Sequence, residues 1–134
     1  MTPERLIAPL YDALNEPGKK DVTALLEGCL SADWKSWGSA GSVSDRGHFI
    51  AKVKGLGAVI PDLAFAIQEV IAAGDKIVVR SEATGTPVKD FMGVPVNGKS
   101  FRITTIDIHT VRDGKSVAVH HVEDWMAAVM QLRG

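Results

Sequence analysis

Apolar residues recur at helical spacing through the first part of the chain and alternate with polar ones from Leu63 onward. Thr2-Pro3-Glu4 is a helix start, with Pro in the first turn and an acid near the positive dipole end. Leu6, Ile7, Leu10, Tyr11 and Leu14 then share one face, which predicts a first helix over 3–15, ending before Pro17-Gly18. A second, over 19–29, buries Val22, Leu25, Leu26 and Cys29. Ala32 to Trp37 reads as a strand or extended turn, and Gly38 to Gly41 as a flexible loop. Ser44 is placed to cap a third helix carrying Phe49, Ile50, Val53 and Leu56, ended by Gly55 to Gly57. Past Pro61, Leu63, Phe65, Ile67 and Ile71 line one face of a strand that turns at Ala72–Asp75 and returns over Lys76–Thr84. Gly85 to Lys99 is a crossover loop rich in breakers that still carries Phe91, Met92 and Val94. Two more strands follow, and Met126 to Leu132 reads as a helical turn or two. Three N-terminal helices against a curved, four-stranded antiparallel meander make an α+β fold of one domain, 1–134, in which the sheet can close over the helices as a cone.

The last two strands carry the candidate chemistry. Ile103, Thr105, Asp107, His109 and Val111 alternate on one, and Val117, Val119, His121, Glu123 and Trp125 on the other. Arg112-Asp113-Gly114-Lys115 suits a three-residue loop with a glycine bulge, pairing Arg112 with Ser116. That register sets Asp107 opposite His121, His109 opposite Val119, Thr105 opposite Glu123 and Ile103 opposite Trp125, all on one sheet face. A tight two-residue turn would shift the pairing by one and turn Asp107 toward His120. An apolar face bearing two carboxylates and two imidazoles suits an acid/base pocket; a solvated sheet face with a few polar residues is the plain alternative.

Composition narrows the classes. A chain of 134 residues, 46% hydrophobic and 23% charged, with net charge −1, has no basic stripe for nucleic acid and no cationic cluster for a membrane surface. The first residues lack the features of a signal peptide, so a cytoplasmic location is expected. Cys29, the only cysteine, is expected in the core, and neither its count nor His120-His121 makes a metal signature.

The chain resembles the SnoaL-like polyketide cyclases, often labelled predicted ester cyclases, within the nuclear transport factor 2-like superfamily. The resemblance rests on Gly85-Thr86-Pro87, on Phe91-Met92-Gly93-Val94-Pro95 with Asn97-Gly98-Lys99, on Ile106 to Lys115, and on Glu123-Asp124-Trp125 leading to Gln131-Leu132. It implies a cone-shaped α+β barrel with a deep pocket, a homodimer or higher homo-oligomer, and acid/base chemistry without metal or organic cofactor on an apolar small molecule. In the characterised cyclases that chemistry is an intramolecular aldol condensation closing the last ring of a polyketide ester. The superfamily also holds isomerases, dehydratases, epoxide hydrolases and non-catalytic binding domains.

The family pairs a His before the hairpin with a catalytic Asp after it; here those positions hold Asp107 and His121, the two types exchanged. A gapped alignment matches His109 and Glu123 instead. His121 suits the base, with Asp107 orienting its ring and His109 and Glu123 as second donor and acid; a desolvated Asp107 could itself be base or acid. Tyr11, Trp34, His48 and Trp125 are expected around the substrate, with Phe91 and Met92 as a lid, and Asp124 as a cap of the last helix. Ile106, Ile108, Ala118 and Val122 form an apolar outer face for a dimer.

Overall fold

The Thr2 hydroxyl accepts the Arg5 N–H at 3.2 Å and opens helix α1, Pro3–Leu14, whose inward stripe buries Ile7, Leu10, Tyr11, Ala13 and Leu14. This computed structural model describes all 134 residues. A 3-10 turn at Pro17–Lys19 leads to α2, Val22–Cys29, capped by Asp21, and Cys29 is in the core as expected. Strand β1, Leu30–Trp37, and the short β2, Val43–Asp45, form a hairpin before α3, Arg46–Val59. Four longer elements complete the chain as strands: β3, Ala64–Ala73; β4, Lys76–Gly85; β5, Phe101–Arg112; and β6, Lys115–Glu123. Helix α4, Trp125–Arg133, closes it. No helix is long and apolar enough to cross a membrane.

The α+β expectation holds, with a larger sheet than the meander alone. Six strands run in the order β2-β1-β6-β5-β4-β3. Strand β1 joins the meander by pairing parallel with β6, Ser36 beside Val119 and Trp37 beside His120. Helices α1 and α3 cover the inner face, α1 over β3 and β6, α3 against β1. The Asn15 side chain accepts the Phe65 N–H at 2.7 Å and ties α1 to β3. Helix α4 is held at the start of β5, where the Gln131 amide exchanges two hydrogen bonds with the Arg102 backbone, at 2.7 and 2.9 Å.

Four local expectations are corrected. Asp45, not Ser44, caps α3, its carboxylate accepting the His48 N–H at 2.8 Å. The helix runs through Gly55 and Gly57 because tertiary packing outweighs glycine's cost of about 1 kcal/mol. Pro17 lies against Gly57, where a Cβ would approach it to 2.8 Å. In β3 a bulge at Gln68 changes the alternation, so Leu63 and Phe65 face the core while Ile71 pairs with Val78 on the outer face. Ile103 does not meet Trp125, because β6 ends at Glu123 and Asp124 caps α4, accepting the Ala127 N–H at 3.2 Å, the cap role foreseen for it.

The β5–β6 hairpin reaches the expected register by another route. Asp113 and Gly114 both adopt left-handed backbone, φ 53° and 77°, making a two-residue turn that pairs Arg112 with Lys115 rather than Ser116. By itself that turn would set Asp107 against His120. A bulge at Val117, between the Val111–Ser116 and Thr110–Ala118 pairs, restores the missing step. Asp107 therefore pairs with His121, His109 with Val119 and Thr105 with Glu123.

Candidate active site

Alternation along β5 buries Phe101, Ile103, Thr105, Asp107 and His109 while Arg102, Thr104, Ile106 and Ile108 face out. The inner residues Asp107 and His109, with Val119, His121 and Glu123 from β6, line a cavity whose empty space, open solvent at its mouth included, is about 560 Å³. Leu10 and Leu14 of α1, Phe49, Val53 and Leu56 of α3, Phe65 and Trp125 supply apolar walls.

Tyr11 reaches in from α1. Its hydroxyl is 2.5 Å from Asp107 Oδ2 and 3.0 Å from His109 Nε2. A phenol has one proton to give and an ionised carboxylate only accepts, so Tyr11 donates to Asp107 and His109 Nε2–H donates to Tyr11. His109 Nδ1 is then the acceptor, 3.5 Å from Ser116 Oγ, which also lies 3.3 Å from the Ala118 carbonyl and accepts the Trp34 indole N–H at 3.1 Å. These bonds order a row of polar groups from Trp34 to Asp107.

Burial dominates the electrostatics of this row. It pushes the Asp107 carboxyl up to about 6, against the downward pull of the Tyr11 hydrogen bond. It pushes the His109 imidazole down to about 4, with the nearby His121 adding to the effect. Burial and the neighbouring Asp107 raise Tyr11 well above the usual phenol value, which keeps its proton in place.

The second group lies beside the first on β6. His121 Nδ1 is 2.6 Å from Glu123 Oε2, with side chains 18% and 13% exposed. That hydrogen bond raises the His121 pKa, and burial opposes it. The expected Asp107–His121 hydrogen bond does not form, although the two are cross-strand partners. Residues two apart on a strand share a face, so Glu123 reaches His121, while Asp107 is held by Tyr11 from the helix above. His121 Nε2 sits near Gly38, where a Cβ would lie 3.5 Å from it. One ligand atom each from Asp107, His121 and Glu123 lies within 4.8 Å of the others, a donor set of the kind that can hold a divalent ion. Asp107 Oδ2 and His121 Nδ1 are engaged by Tyr11 and Glu123, and an ion bound through those two atoms would compete with both bonds.

The other candidates divide. Trp125 lines the cavity. Trp34 is fully buried behind it, tilted against Phe49 with ring centroids 5.0 Å apart, and holds Ser116 instead of a ligand. Phe91 packs edge-on against Trp125 at 5.6 Å, supporting that wall from outside the cavity. Met92 is exposed on a left-handed turn, φ 49°, and forms no lid. His48 is exposed in the first turn of α3 and does not reach the cavity. Two lining residues, Ser36 and Lys52, carry no signal in the sequence pattern: Ser36 sits among tryptophans, and Lys52 reads as a solvated charge beside the apolar stripe of α3.

The comparisons with known proteins agree with this architecture. IdmH, a proposed polyketide cyclase from Streptomyces antibioticus, is 26% identical, with TM-score 0.87 over 100% of both chains. AclR, a proposed hydroxylase from Streptomyces galilaeus, is 20% identical, with TM-score 0.82 over 97% of this chain and 83% of its own. A protein with a ketosteroid isomerase-like fold from Catenulispora acidiphila, solved with trimethylamine, is 17% identical, with TM-score 0.78 over 99% and 95%. The latter two likenesses are of fold alone. No curated protein matches the chain. The model of the SnoaL-like polyketide cyclase family matches residues 34–132, and the chain belongs to that family.

Proposed function

We propose that the cavity catalyses proton transfer at a carbon next to a carbonyl, in the manner of the aldol step of a polyketide cyclase. The observation that carries this is the convergence, in one apolar cavity, of a carboxylate pushed up to about 6 and an imidazole pushed above its ordinary value. Near neutral pH Asp107 is largely ionised yet more basic than an exposed carboxylate, and a share of His121 is protonated. Asp107 is the base that removes the α-proton. His121, kept charged by Glu123, delivers a proton to the oxygen that becomes anionic when the enolate adds to a second carbonyl. Carbon–carbon bond formation and alkoxide protonation balance the proton removed, so the step needs no further reactant.

In this scheme the base is Asp107 and His121 is the acid. Glu123 sets the charge of His121, and His109 positions Tyr11. The substrate is an apolar carbonyl compound, and the working form a homodimer. Ile106, Ile108 and Val122 are 44%, 40% and 58% exposed on the outer sheet face, joined there by Trp37 stacked on His120. Sedimentation should give a dimer at micromolar concentration, and a monomer would remove that part of the proposal.

The test needs no knowledge of the natural substrate. An aromatic β-keto ester in D₂O, followed by NMR, should exchange its α-proton faster with the protein than without it, with a bell-shaped pH profile whose acid limb lies near 6. Exchange no faster than in buffer, with the ester bound, would make the chain a binding domain rather than an enzyme.

A further inference from the structure

Lys52 is the only lysine or arginine lining the cavity. It lies on α3 with Phe49, Val53 and Leu56, four residues whose spacing puts them on one helix face turned to the same space. Its side chain takes part in none of the ion pairs of the molecule. It is exposed, whereas Asp107 is buried, which sets Lys52 in the outer part of the lining, at the mouth, and Asp107 in the inner part. Its charge is felt by His121 across the cavity.

An unpaired cation at the mouth of an apolar cavity is a recognition element for an anion. We propose, building on the acid/base reading above, that the substrate is a carbonyl compound bearing a carboxylate, which Lys52 holds at the cavity mouth. The two deeper acids dictate the orientation. A ligand carboxylate placed near Asp107 or Glu123 meets like charge, while one placed at Lys52 meets the opposite charge and remains partly hydrated. The apolar, carbonyl-bearing end then enters between Phe49, Val53 and Trp125 and presents its α-carbon to Asp107. Lys52 is a binding residue in this scheme; the bonds that change lie at the other end of the ligand.

The probes are 2-naphthoate and methyl 2-naphthoate, alike in shape and different in charge, with binding followed by tryptophan fluorescence and calorimetry. Wild-type protein should bind the acid more tightly than the ester by roughly three- to tenfold, the range of a partly exposed ion pair. Added salt should erode that preference. Lys52→Met should abolish the preference while leaving the ester affinity within about twofold, and Lys52→Arg should keep most of it. Equal affinity for acid and ester in the wild type, or a preference that survives Lys52→Met, overturns the proposal and leaves the proton-transfer reading standing. Failure of both probes to bind overturns the cavity as an apolar ligand site and the anion subsite with it. The α-proton exchange of the neutral β-keto ester is read separately, so the two proposals fail on different measurements.

Discussion

The cavity has two ionisable halves built by opposite means. On β5, Asp107 and His109 are almost completely buried, and removal from water pushes both toward their neutral forms. On β6, His121 and Glu123 are partly exposed, and a short hydrogen bond between them favours charge on the imidazole. In the proposed reaction, adjacent strands thus offer a base strengthened by desolvation and an acid maintained by pairing. A carboxylate needs dryness to become a better base, and an imidazole needs a partner to hold its proton.

The largest test removes the dry half. Asp107→Asn should lower the α-proton exchange rate by roughly 10² to 10⁴-fold while keeping an acceptor for Tyr11. His121→Ala should cost roughly 10²-fold and flatten the alkaline limb of the pH profile. If His121→Ala is much worse than Asp107→Asn, the base and acid are reversed. Glu123→Gln should slow the reaction about tenfold and move the alkaline limb to lower pH, since Glu123 is what raises His121. Tyr11→Phe removes the hydrogen bond that lowers the Asp107 pKa, so the acid limb should move to higher pH with a loss of a fewfold at neutrality.

The last effect is on stability rather than rate, measured by urea unfolding across pH. Asp107 titrates higher in the folded chain than the ordinary 3.8, so its contribution is present below that value and is lost as pH rises toward about 6. His109 titrates lower than the ordinary 6.5, so its contribution is present above that value and is lost as pH falls toward about 4. Between about 4 and 6 the two slopes oppose each other. Asp107→Asn should unmask the His109 slope, with stability rising by up to about 1.4 kcal/mol per pH unit over that window. The same variant should be more stable than wild type at pH 7, by at most about 3 kcal/mol. An Asp107→Asn variant whose stability keeps the wild-type pH dependence between about 4 and 6 would mean that burial does not set the titration of Asp107.

The β5–β6 face was legible in the sequence because a pleat has period two: once Asp107 and His121 share a face, His109 and Glu123 join them. Which pairs would bond was not legible, because Tyr11, although expected near the substrate, comes from a helix 96 residues earlier in sequence and no local pattern couples its hydroxyl to Asp107. Strand β1 was visible as an extended stretch, but its parallel pairing with β6 depends on long-range packing that no local pattern encodes. Trp34 and Met92 carried an aromatic and an apolar signal that could not say which side of the cavity wall each would occupy. Lys52 was hidden because a lysine beside the Phe49, Val53 and Leu56 stripe of α3 reads as a solvated charge at the edge of an apolar face.

The bulge at Val117 makes the functional face a question of parity. Turn and bulge together add an even correction to the hairpin, so the tip can be redesigned provided every one-residue change is matched by another. Removing Val117 alone would rotate the distal half of β6 by one position, turning His120 and Val122 inward and sending His121 and Glu123 out to the opposite surface. A single-codon deletion far from either side chain would thus exchange the lining of the cavity for the covering of the sheet, and only a second length change in the same hairpin would reverse it.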